Sequence, residues 1–204
     1  MERLWNAVAA VARVAIWCGG AMLFIAAAIV TAEVILRKGA GALFGVSFLF
    51  TGSDELAGYL FAVGTSWSMA HVLVTRGHVR IDALYGMFSP KVRGWFDLIA
   101  LLVMALFIGA VIDRTWDVAF TSLTENIRSN TSLRVPLAWP QIPWFAGFAL
   151  FFVALVLAII RTIGALMRGD YATVQAIAGA ASKDEEIESE LKGLGLQAAA
   201  RKET

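Results

Sequence analysis

A chain of 204 residues that is 59% hydrophobic and only 16% charged has too little polar surface for a soluble domain of its size. The formal net charge of +1 gives no strong electrostatic attraction for nucleic acid or an acidic partner, and the single cysteine excludes a disulfide framework or a thiolate metal cluster. The composition fits a bilayer, and Cys18, inside an apolar run, reads as a small packed hydrophobe.

Residues 1–13 place Leu4, Trp5, Val8 and Val11 at near-helical spacing between Arg3 and Arg13. That pattern suits an amphipathic lead-in at the membrane surface, and equally a frayed start to the first span. The membrane domain is expected over 14–168, with spans at about 14–36, 54–75, 91–117 and 142–162.

The first span ends in Glu33, Arg37 and Lys38 rather than at a cleavage site, so it is retained. Glu33 lies roughly 28 Å along the helix from Val14, near the far interface, and its i,i+4 spacing to Arg37 reads as a surface ion pair. Between Lys38 and Ser53 the chain turns through Gly39, Gly41 and Gly45. Ser53 or Asp54 is expected to cap the second helix, whose first turn also carries Glu55.

Gly58, Ala62, Ser66 and Ala70 fall four apart on one face of that helix, where another backbone can approach closely. The pattern leaves open whether the approaching helix belongs to this chain or to another subunit. Next comes a polar knot, Arg76, Gly77, His78, Arg80 and Asp82, in which Gly77 is expected to end the helix and Asp82 to cap a short interfacial segment. His78 reads as a hydrogen-bonding strut and the arginines as headgroup anchors.

Ser89-Pro90 is an N-cap followed by proline at the first helical position. Trp95 and Trp116 on the third helix are about 31 Å apart, the separation of two aromatic belts. Pro136, Pro140 and Pro143 are expected to hold off the fourth helix until close to Trp144, and Arg161 and Arg168 close it. Residues 169–204 turn to Ala, Gly and charge and read as a polar cytoplasmic tail, a solvated helix or disordered. The bias of short-loop Lys and Arg favours both termini inside. The fold class is therefore an all-α integral membrane protein with four transmembrane helices, short interfacial helices and this tail.

The usual catalytic sets cannot be assembled, so an enzyme is not expected, and no cofactor or metal is called for. A haem anchor would need His71 and His78, which on one helix would share a face and could not grip a haem from both sides. No midplane ionic site or inverted repeat suggests a transport path within the chain itself. A structural or interaction subunit fits best.

Glu33 and Arg37 closing the first span, Asp54-Glu55-Leu56-Ala57 with Tyr59 opening the second, Gly77-His78-Val79-Arg80 with Asp82, and Pro136 with Trp139-Pro140 together resemble the small membrane subunit, the DctQ-like component, of tripartite ATP-independent periplasmic (TRAP) transporters. The resemblance covers roughly residues 13–168. Gly58 departs from it, standing where the family often has an Arg, and so does the extended tail.

The resemblance implies a scaffold in the bacterial inner membrane that binds a large, DctM-like subunit and helps receive a periplasmic substrate-binding protein. Uptake, typically of an organic acid, would be driven by a sodium gradient rather than ATP. On that reading Gly58, Ala62, Ser66 and Ala70 are a subunit interface, and Arg37, Asp54, Glu55 and Arg134 are docking residues for the binding protein. Another binding-protein-dependent carboxylate carrier, or the membrane anchor of a redox complex, is the alternative.

Overall fold

In the computed structural model the described residues are 2–40, 52–77 and 87–179; His78, Arg80, Asp82 and the tail beyond 179 lie outside them. The described residues form five α-helices: α1 (Glu2–Ile35), continued by a π-helical turn (Leu36–Ala40), α2 (Ser53–Val74), α3 (Pro90–Thr124), α4 (Ala138–Met167) and the short α5 (Tyr171–Ala178). The first four are long and apolar enough to cross a membrane. α1 is unbroken from Glu2, so residues 2–13 and the first span are one helix.

The helices run up and down between two ends. The starts of α1 and α3 and the ends of α2 and α4 share the end that carries α5, here the terminal end; the opposite, distal end carries the connections after α1 and α3. The order in space is α1, α2, α4, α3, since α4 packs on both α2 and α3, while α3 otherwise packs on α5. α4 presents Phe151, Ala154, Leu155 and Ala158, each at most 1% exposed, at helical spacing to Ala70 and Leu73 of α2 and to Leu101 and Ile108 of α3.

Small residues set the helix separations. A Cβ built on Gly19 of α1 would meet the Gly64 carbonyl oxygen at 2.6 Å, and one on Gly147 of α4 would meet Ser66 Oγ at 2.4 Å. Backbone therefore approaches backbone on two sides of α2. In a bilayer, where apolar surface gains nothing by leaving lipid, such close packing is a main source of helix association. The row stays open: at most 33% of the most apolar window of any span is buried within the chain.

Three helix ends close in the same way. Gly77 N–H bonds to Val72 O and Arg76 N–H to Leu73 O; Ile127 N–H bonds to Ser122 O; and Asp170 N–H bonds to Ala165 O. These 6→1 closures place Arg76 (φ 57°), Asn126 (φ 50°) and Gly169 (φ 70°) in the left-handed region. The residue that turns the chain out of α2 is thus Arg76, not Gly77 as the sequence suggests.

Two other helix starts also correct the sequence reading. Gly52 (φ 132°), not Ser53 or Asp54, precedes α2. α4 begins at Ala138 and runs through Pro140, which sits in the first turn where no N–H has an intrahelical partner, and through Pro143, just beyond that turn, where one backbone bond is given up. Finally, α5 belongs to the packed domain although it falls in the expected tail: Val174 is 0% and Ala178 2% exposed.

Candidate functional site

The distal end is built around the start of α2. Gly52 lies so close to the loop after α3 that a Cβ there would be 2.5 Å from Leu133 Cδ1. Ser53, 1% exposed, donates its hydroxyl to Glu33 of α1, which is itself only 8% exposed. Arg37 Nη1 stands 3.7 Å from the same carboxylate. Glu33 is therefore a buried tie between α1 and α2 rather than the surface pair expected from its spacing to Arg37.

Glu55, half-buried on the next part of the turn, accepts from the Tyr59 hydroxyl at 2.6 Å and from Thr131 Oγ1. Ser129 and Thr131 share a further hydrogen bond at 2.7 Å. The loop they sit in is pinned by the Arg128–Pro136 bridge and by Arg128 Nη1 donating to Arg134 O at 3.4 Å. Its backbone turns at Arg134, where φ is 47°. Ser53 and Glu55, two positions apart, thus fasten two different segments to α2.

Of the four residues expected to dock a partner, Arg37, Asp54 and Arg134 are exposed at this end, and Glu55 is engaged in holding the loop. Nearby on α3, Arg114 lies 3.9 Å from Asp113 and 3.8 Å from Asp117, all three open to solvent or headgroups. Such exposed pairs add little stability.

The small-residue row of α2 divides. Ser66 (2% exposed) and Ala70 (0%) are used inside the chain against α4. Ala62 is half-buried. Gly58 is exposed with nothing near its Cβ position, and it lies in an outward-facing groove between α1 and α2 with Ala27, Val30 and Phe61. Spacing by four could not reveal Gly19, Gly64 and Gly147 as the close contacts, because each helix supplies its own glycine to a different crossing.

At the terminal end, Arg76 Nη1 donates to Gln175 O of α5 at 3.3 Å. Gly77 follows it at the helix end, and the remainder of the polar knot lies outside the described residues. Asp97, an ionisable residue inside α3, is 2% exposed. Its position two turns into an apolar helix was the signal available in the sequence. α5 itself is capped by Asp170, whose carboxylate accepts from Thr173 N–H at 3.0 Å and from the Thr173 hydroxyl. These bonds, the side-chain one foremost, hold the Asp170 carboxyl below the usual range.

Residues 26–165 match the family described as tripartite ATP-independent periplasmic transporters, DctQ component. The comparisons with curated proteins and with solved structures return no match. The family match spans both ties at the distal end, the α2–α4 crossing at Ser66 and Gly147, and the fourth span as far as Ala165; Gly19 of the α1–α2 crossing precedes it. By this match the chain belongs to the DctQ family, the small membrane component of TRAP transporters.

Proposed function

We propose that this chain is the non-transporting scaffold subunit of its transporter: it binds the large, DctM-like membrane subunit and helps dock a periplasmic substrate-binding protein for sodium-gradient-driven uptake of an organic acid. Both termini would then be cytoplasmic and the distal end periplasmic, in the bacterial inner membrane. The observation that carries the reading is the exposed groove at Gly58. There the close-approach surface of α2 continues beyond the part the chain uses for itself, flanked by Ala27, Val30 and Phe61. A helix of the large subunit fits such a surface, because small residues let backbones come together in lipid.

Ser66 and Ala70 support that interface from behind by fixing α2 on α4, while Gly58 and Ala62 lie nearer the partner. The distal charges Arg37, Asp54 and Arg134 would meet the binding protein, with Glu55 shaping the loop beside them. Arg76, Gly77, His78, Arg80 and Asp82 would form the cytoplasmic corner.

The test is coexpression with the large subunit. Gly58→Leu, whose Cβ enters open space, should abolish copurification while the variant chain remains folded. Retained copurification and uptake would rule out this groove as the interface. Neutralising Arg37, Asp54 and Arg134 together should leave the two-subunit complex intact and lower uptake at limiting binding protein; unchanged uptake would remove them from docking.

A further inference from the structure

The terminal end holds a second polar feature that the scaffold role does not use. Arg161 and Arg168, seven residues apart on α4, line a cavity of about 370 Å³ between α4, α5 and the start of α1. Arg168 folds back over Gly164, its Nη1 3.7 Å from where a Cβ would stand. Among the described residues Arg168 has no carboxylate within ion-pair distance.

Arg161 is more enclosed, its side chain 18% exposed. It donates from Nη2 to Glu2 Oε1 at 2.9 Å and lies 4.7 Å above the Trp5 ring. A guanidinium has five N–H donors, so one bond to Glu2 leaves it capacity for a second acceptor. The remaining charge beside the cavity is Asp170, already holding the Thr173 N–H and hydroxyl. Glu2 thus pairs with Arg161, while Asp170, whose charge is felt at Arg168 but whose oxygens hold Thr173, leaves the Arg168 guanidinium without a direct ion pair among the described residues.

The cavity also has an apolar exit. Ile160 lines it and begins an exposed ridge on α4: Ile160 is 47%, Val156 36% and Val153 48% exposed. These residues run about 10 Å from the cavity toward the middle of the span. A soluble anion has no use for such a ridge, whereas an amphiphile fits both parts.

We propose that this cavity binds the phosphate headgroup of an anionic phospholipid, with Arg168 and Arg161 on the phosphodiester oxygens and an acyl chain along Ile160, Val156 and Val153. Planar guanidinium donors suit phosphate oxygens, and basic pockets between spans at the membrane surface recognise lipid headgroups. The inference depends on the membrane placement of the chain and not on which partner it binds.

Native mass spectrometry of the full chain in detergent tests it, with phosphatidylglycerol and phosphatidylcholine of matched acyl chains. Phosphatidylglycerol should be retained at least about fivefold better, the preference that one surface arginine typically confers. Arg168→Gln should bring it down to the phosphatidylcholine level and leave phosphatidylcholine unchanged. Glu2→Gln, which frees Arg161, should hold or raise phosphatidylglycerol retention. Equal retention of the two lipids by the unaltered chain, no effect of Arg168→Gln, or a fall with Glu2→Gln would each overturn the proposal. Displacement of phosphatidylglycerol by millimolar inorganic phosphate would overturn it as well, by assigning the cavity to a free anion.

Discussion

Gly19 and Gly64 face each other where α1 crosses α2, and each excludes a side chain on the other: a Cβ at Gly19 would lie 2.6 Å from the Gly64 carbonyl oxygen, and a Cβ at Gly64 would lie 2.8 Å from that of Gly19. The obstructing atoms are backbone, which cannot rotate aside. Gly64→Ala should therefore destabilise the chain by about 1–3 kcal/mol through overpacking, despite alanine's better helix propensity. Gly58→Ala, in open space, should be neutral or slightly stabilising. Thermal unfolding of the two variants in the same detergent separates a helix contact from a general effect of glycine; equal midpoints would refute the close crossing.

At the crossing of α2 and α4, Gly147→Val should be more damaging than either, because Ser66 Oγ and the Ser66 backbone both stand within 2.7 Å of the new Cβ. The loss is expected to exceed about 3 kcal/mol if nothing yields. Ser66→Gly on the same chain should recover part of it by removing the hydroxyl, and a double-mutant cycle reads the coupling.

The buried tie between α1 and α2 gives a third expectation. Ser53→Ala removes the hydroxyl donor from Glu33 and should cost about 1–3 kcal/mol, since the carboxylate loses a partner in a buried setting. Arg37→Gln should cost less, because Arg37 is half exposed and 3.7 Å away. A larger loss for Arg37→Gln than for Ser53→Ala, measured by unfolding, would reverse this ranking.

The four long apolar helices were legible because about 20 apolar residues in a row have few other uses. What the sequence hid was partner choice. Glu33 had a local explanation in Arg37, so its partner Ser53, 20 positions away, could not compete on spacing. Likewise Ser66 belonged to a row of four but meets Gly147, a residue with no repeat to announce it. At Pro140 a general rule about helix breakers gave way to the exemption of the first turn, while Pro143 is accepted inside α4 with one backbone bond given up, and Trp67 Nε1–H donates to the Pro143 carbonyl oxygen at 2.8 Å. The composition change at Gly169 was real, but a helix of eight residues needs only Val174 and Ala178 to dock.

Asp170 supplies a pH dependence. Its folded pKa is lowered from 3.8 by the Thr173 bonds, so the stabilisation of α5 is full above the unfolded value and is lost as pH falls through the folded one. Amide exchange in Tyr171–Ala178, corrected for the intrinsic rate, should quicken relative to α4 below about pH 4. Asp170→Asn should flatten that change; an unaltered profile would show that the cap does not govern α5.

The order of the helices in space also sets an order in time. α1 and α2 are neighbours in the chain and can pair at Gly19 and Gly64 as soon as both have left the ribosome. α3 is made next yet finds no principal neighbour among them, since it packs on α4 and α5. It must wait in the bilayer, held only by its own apolar length, until α4 inserts between it and α2. The fourth span is thus the wedge that joins the three before it, and a chain cut short before residue 138 would leave one helical hairpin and one stray helix for the cell's membrane proteases.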